Sequence, residues 1–206
     1  MPTFRLNNDR LLEVSLQNEK VMALAGAMVA YDGTIKFEKS LTGGEGFFGV
    51  LKRMAGGESF SLMVTSGTGT VYFANQAREI VVVALDGEKI FVESSCILAM
   101  DAALKTNTVF AGLHGAAAGQ GLATTTVEGK GNVALMSHGQ MLEFEVNAQY
   151  PLFVDPDAFI AYKGDITREF VFDVSWQTLR GNTSGETYQL KFSGVGTVYV
   201  QPSERK

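Results

Sequence analysis

Apolar and polar residues alternate along this chain in short runs: Leu12, Val14 and Leu16 are separated by Glu13 and Ser15, and Phe60, Leu62 and Val64 follow the same rule. A period of two sends successive side chains to opposite faces, which is the signature of a strand with one buried face. The pattern predicts strands at Leu12–Leu16, Thr34–Glu38, Phe60–Val64, Val71–Phe73, Ile80–Leu85, Leu142–Val146, Val171–Val174, Tyr188–Phe192 and Val198–Val200. With 23 glycines and only 4 prolines between them, these short runs have the texture of an all-β chain with many tight turns.

A second regularity lies over the first. The pattern Gly-x-Gly-x-Val, followed by an apolar pair, occurs as GTGTVYF from Gly67, GKGNVAL from Gly129 and GVGTVYV from Gly194. Another motif, three apolar residues, a small or polar turn, then apolar-apolar-Ala, alternates with it as VMALAGAMVAY from Val21, IFVESSCILAM from Ile90 and LFVDPDAFIAY from Leu152. The spacing from Gly67 to Ile90 equals that from Gly129 to Leu152, so residues 67–99 overlay 129–161 without a gap. Gly67, Gly69, Val71, Phe91, Val92 and Ala99 are identical to their counterparts in that overlay, and apolar residues match at Ile80 with Leu142 and Val82 with Phe144. Such self-similarity predicts three copies of one small β unit in a single domain spanning residues 1–206.

The glycine pairs are expected to stand in hairpin turns, where a positive φ suits glycine. The last glycine strand has no second motif after it, and the first second motif has no glycine strand before it. The terminal segments are therefore expected to pair with each other and close a pseudo-threefold barrel or prism, which would remove exposed sheet edges.

The segment GGEGFFGVLKRMAGGE, Gly43 to Glu58, breaks the β texture, and Phe47 to Ala55 could form two helical turns between glycines. GLHGAAAGQG from Gly112 and the stretch from Gly181 to Glu186 hold corresponding places in the other copies. Function tends to sit on such variable connections. The candidate partner-binding residues are Phe47, Phe48, Lys52 and Arg53, because two adjacent rings cannot both enter one core from a helix. The plainer alternative tucks both rings under their own loop.

Composition narrows the classes. A chain of 206 residues with 46% hydrophobic residues can bury a sizeable core. A net charge of −5, with Lys and Arg scattered, gives no long-range attraction for a phosphate backbone, so nucleic acid is not an expected partner. Membrane insertion is not expected either: the weakly polar run from Val21 to Tyr31 is far shorter than the roughly 20 residues a spanning helix needs. The N-terminal MPTFRLNNDR lacks the apolar core of a signal peptide, and the single cysteine, Cys96, cannot form an intrachain disulfide. Cytoplasmic location is the expectation.

Reactive constellations are missing from the sequence. Each Gly-x-Gly runs into a strand rather than a phosphate-binding helix, and no Walker, GxSxG or HExxH motif occurs. The two histidines, His114 and His138, do not form a His-x-His pair, and both read as turn residues rather than metal ligands. Asp155, Asp157 and Asp165 form the nearest approach to a carboxylate cluster, with Asp-Pro-Asp explained by a polar-capped turn. Cys96 reads as a core thiol with no basic residue beside it in sequence, and Trp176 as core filling. No catalytic residue, metal or cofactor is expected.

The segments GAMVAYDGTI at Gly26, GVLKRMAGGESF at Gly49, VNAQYPLFVDPDAFIAY at Val146 and SGVGTVYVQ at Ser193, in this order, resemble the altered-inheritance-of-mitochondria family of mitochondrial-biogenesis proteins. That family looks like the tryptophan RNA-binding attenuator protein fold. The resemblance covers nearly the whole chain and implies a double-stranded β-helix-like architecture, association into homo-oligomers and no established enzymatic activity. It suggests a trimer as the first stoichiometry; the irregular loops, for their part, are expected to meet an unidentified protein partner. The expectation is thus a non-enzymatic β scaffold, with a metal-dependent cupin-like enzyme and an RNA- or membrane-surface-binding protein as alternatives.

Overall fold

The computed structural model describes residues 1–39, 61–110, 123–172 and 188–203. The strands in chain order are β1 (Thr3–Asn8), β2 (Leu11–Leu24), β3 (Met28–Lys39), β4 (Leu62–Phe73), β5 (Glu79–Glu93), β6 (Ile97–Asp101), β7 (Lys105–Phe110), β8 (Ala123–Ser137), β9 (Leu142–Val146), β10 (Leu152–Val154), β11 (Phe159–Phe172) and β12 (Tyr188–Val200). All pairings are antiparallel, in one sheet of order β10-β12-β11-β5-β8-β6-β2-β4-β3, with β1, β7 and β9 paired to β2, β8 and β12. The all-β expectation holds. The strands run longer than the alternation alone predicted, because β2 and β5 absorb polar residues such as Asp86 and Glu19 at register shifts instead of breaking.

Three glycine strands, β4, β8 and β12, each lie at the centre of a strand group: β1–β4, β5–β8 and β9–β12. Their ladders share offsets. Val21, Ile90 and Leu152 face Thr65, Val127 and Phe192, each two residues before the first glycine of its pair. On the other side, Met28, Ile97 and Phe159 face Phe73, Leu135 and Val200, and in all three ladders the register shifts before the next pair, Ala30–Tyr72, Ala99–Ala134 and Ala161–Tyr199. The residue skipped is Val29, Leu98 or Ile160.

Three expectations change. The glycine pairs are not in turns: they sit inside continuous strands, and their role is close approach. A Cβ on Gly67, whose φ is +133°, would fall onto the Thr34 carbonyl oxygen, and one on Gly194, at φ +124°, onto that of Asp165. Second, the ladders shift the expected overlay by one residue. Val81, not Ile80, shares the place of Leu142, since they face Leu135 and Val200. The turn closed by the Asn147–Tyr150 bridge takes up one residue more than the shift between Asp86 and Lys89. A one-residue slip exchanges the faces of a strand; Ile80 is buried while Leu142 and Phe144 are exposed. The buried set at this place is Leu16, Leu85 and Val146, opposite Gly69, Gly131 and Gly196.

Nor do the terminal segments pair. Among the described residues, the ladders of β1 and β2 go to each other, β4 and β6, and those of β12 go to β9, β10 and β11. The groups join instead through their second motifs: Val21, Met22 and Ala23 face Asp101, Met100 and Ala99, and Ile90, Phe91 and Val92 face Lys163, Tyr162 and Ala161. Each junction is backed by apolar packing. Leu12, Val14 and Val71 pack with Leu98, Ala134 and Met136 across the first, and Val83, Leu85 and Ile90 with Ile160, Ala161 and Tyr199 across the second. A third cluster, with Val146, Phe159, Leu190 and Phe192, lies within the last group.

Candidate functional site

The expected partner-binding residues Phe47, Phe48, Lys52 and Arg53 lie outside the described residues, as do His114 and Trp176. His138 is exposed in the turn after β8, and its backbone N–H donates to Gln201 Oε1 at 3.2 Å. Asp155 and Asp157 belong to the turn between β10 and β11, where Asp157 N–H donates to Asp155 Oδ1 at 2.9 Å; Asp165 is separate, within β11 opposite Val195. That geometry is the polar-capped turn expected of Asp-Pro-Asp.

The described polar chemistry concentrates at the junctions. At the second junction, Arg168 on β11 donates from Nη1 to Thr124 Oγ1 on β8 at 2.9 Å, and its guanidinium carbon lies 5.7 Å from the Phe159 ring centre and 5.8 Å from that of Tyr162. Tyr162 in turn stacks on Phe91 of β5, with centroids 4.6 Å apart and planes 5° from parallel, and meets Phe192 edge-on at 5.5 Å. Burial pulls the Arg168 guanidinium below its usual range, against the opposing pull of Tyr162 and Glu93. Burial pushes the Tyr162 phenol up, and Arg168 partly offsets that. A cation held over two rings ties β11 to β8 while keeping its charge.

A buried cation sits beneath the 3₁₀ turn Ser94–Cys96, within the middle strand group. Arg78 donates to the carbonyls of Ser95 and Met136, both at 3.2 Å, and lies 3.6 Å from Cys96 Sγ. Cys96 is buried, as expected of a core thiol, but this neighbour is not beside it in sequence and arrives from the start of β5. Its one local signal is Arg78 itself, a charged residue at the mouth of an apolar run.

At the first junction, Asp101 is buried and accepts from Asn132 N–H at 2.7 Å. Burial raises its pKa first, the two Asn132 hydrogen bonds oppose that, and Glu19 adds to the rise. Its side chain crowds the place a Cβ on Gly131 would take, with Oδ2 2.8 Å from that position. Beside it, Asp86, Glu88, Lys130 and Asn132 line a shallow, open depression, where Lys130 pairs with Asp86 at 2.7 Å. Among the described residues, no three His, Cys, Asp or Glu side chains converge as metal ligands, and no helix is long and apolar enough to cross a membrane.

These features define an all-β protein built on one large antiparallel sheet, with a half-buried arginine and stacked aromatic rings at a junction between strand groups. The family model of mitochondrial biogenesis AIM24 matches residues 4–203, and the chain belongs to that family. The fold is shared with a crystal structure of a Streptococcus pyogenes protein from the Northeast Structural Genomics Consortium, 20% identical, with a TM-score of 0.75 over 99% of this chain and 94% of that one. No curated protein matches the sequence significantly.

Proposed function

We propose that this protein is a non-enzymatic, homo-oligomeric β scaffold, made of three related units of double-stranded β-helix-like, attenuator-protein-like architecture, that presents its irregular connections to a partner. The observation that carries this reading is the recurrence of one ladder, with the same offsets and the same register shift, around Gly67, Gly129 and Gly194. The buried groups that could have supplied chemistry support it too. Arg78 bonds two backbone carbonyls, Arg168 bonds Thr124 across strands, and Asp101 holds the Asn132 backbone. Fixed in this way, they stiffen a framework rather than face a substrate. The cytoplasm is the compartment proposed, since the sequence holds one cysteine and so has no second thiol for an intrachain disulfide.

Size-exclusion chromatography with light scattering tests the assembly. A multiple of the 22.2 kDa chain is expected, and a clean monomer at high micromolar concentration removes the scaffold reading. Elemental analysis of the purified protein tests the rest: a stoichiometric transition metal would favour the cupin-like enzyme instead and reopen the role of both histidines.

A further inference from the structure

The two internal junctions are copies of one interface, and the chain carries both halves of it a third time without joining them. In each junction the first half of one second motif pairs with the last half of the next: Met22 with Met100, and Phe91 with Tyr162. By the shared offsets, the unused first half is β10, Leu152–Val154, and the unused last half is Ala30 to Asp32 in β3. These two strands are the ends of the sheet order, each paired on one side only among the described residues.

Exposure says the same. The residue skipped at the register shift is fully buried as Leu98 and as Ile160, yet Val29 is 60% exposed. Tyr31, in the place of the buried Met100 and Tyr162, is 50% exposed, and Phe153, in the place of Met22 and Phe91, is 51% exposed. Leu142 and Phe144, on β9, are also exposed, although Val14 and Val83, which share the place of Phe144, are buried against the neighbouring group. Large apolar side chains gathered on two unpaired strand edges mark an interface.

We infer that β10 of one copy pairs antiparallel with β3 of a second copy, in the register Leu152 to Asp32, Phe153 to Tyr31 and Val154 to Ala30. The occupant is a second copy of this chain because the complementary half is already built into it. Phe153 against Tyr31 repeats the Phe91–Tyr162 stack, and Val29 reaches the face carrying Phe144, as Leu98 reaches Val14. The contact is head-to-tail, so repetition gives a ring if the step closes and a fibre if it does not. This deepens the scaffold reading and rests on it, by naming the surface through which the copies assemble.

The test mixes two variants, Tyr31→Cys and Phe153→Cys, under mild oxidation, with wild type as the control for the buried Cys96. Facing Cα atoms in an antiparallel ladder are about 4.5–5.5 Å apart, within disulfide reach. The expected result is a disulfide-linked dimer in the mixture and none with either variant alone. Cross-linking of one variant to itself, no cross-link in the mixture, or an intrachain disulfide in the Tyr31→Cys/Phe153→Cys double variant would overturn the inference. A charge on the edge, Tyr31→Lys, should raise the concentration for half-assembly at least tenfold, with an unchanged circular dichroism spectrum showing that the fold survives; unchanged assembly counts against the proposal. Light scattering on the wild type separates the two claims. Oligomers that neither cross-link nor respond to Tyr31→Lys sink this edge and leave the scaffold standing, whereas a monomer sinks both.

Discussion

Leu98 and Val29 are both the residue passed over at a register shift, in β6 and in β3, yet one is sealed in the core and the other lies open. Both are aliphatic and both are followed by alanine. The difference lies in what stands beside them: β6 pairs with β2 across the first junction, and β3 is the last strand of the sheet. Burial here belongs to the neighbour, not to the residue. The same holds for Phe91 and Phe153, of which only the first has a tyrosine stacked on it.

The largest effect is expected at what the groups share. Gly67→Val should abolish folding or cost at least about 4 kcal/mol in chemical denaturation, because the new side chain meets the backbone of β3 at a positive φ. Gly129→Val should cost measurably less, since its nearest neighbour is the flexible end of Leu104, at 3.3 Å. If the two variants prove equally destabilised, close backbone approach is not what the first glycine provides.

Core truncation sharpens the contrast itself. Leu98→Ala should destabilise by about 2–5 kcal/mol, the range for removing a buried leucine, while Val29→Ala on dilute protein should stay within about 0.5 kcal/mol. Equal effects at both positions would mean that β3 is covered in solution even at low concentration. Arg168→Met keeps the packing volume but removes the Thr124 bond and the cation over Phe159 and Tyr162, for an expected loss of about 1–2 kcal/mol. No change in the denaturation midpoint would mean that the second junction is held by apolar contact alone.

The smallest effect is a titration. The Tyr199 phenol is pushed up to about 12, first by burial and then by Glu143, Glu145 and Glu88. In the unfolded chain it ionises near 10, so between about pH 10 and 12 the folded state holds a proton that the unfolded state has lost, and stability falls as pH rises through that window. Ultraviolet difference titration of wild type against Tyr199→Phe should find one phenol ionising late. A normal titration would place Tyr199 in contact with water.

Much of the fold was legible because it repeats. Alternation marked the strand cores, and three Gly-x-Gly sites marked the central strands, even though the reason assigned to those glycines, a turn, was not the one found. The one-residue slip between β5 and β9 was not legible: Ile80 and Leu142 are both apolar, and only the ladder shows that they point to opposite faces. The candidate site fared differently. Phe47, Phe48, Lys52 and Arg53 lie outside the described residues, and the contacts of Arg78 with Cys96 and of Arg168 with Thr124 join residues far apart in sequence, which no local pattern reports.

The all-β class, the strand-forming segments and the positions of the three glycine pairs were readable in the sequence alone, because period and glycine position are local properties. Which strand groups meet, which of three equivalent motif halves is buried, and that two strand edges stay unjoined among the described residues were settled in three dimensions. Those outcomes depend on long-range pairing, in which identical local patterns differ only by what happens to lie across from them.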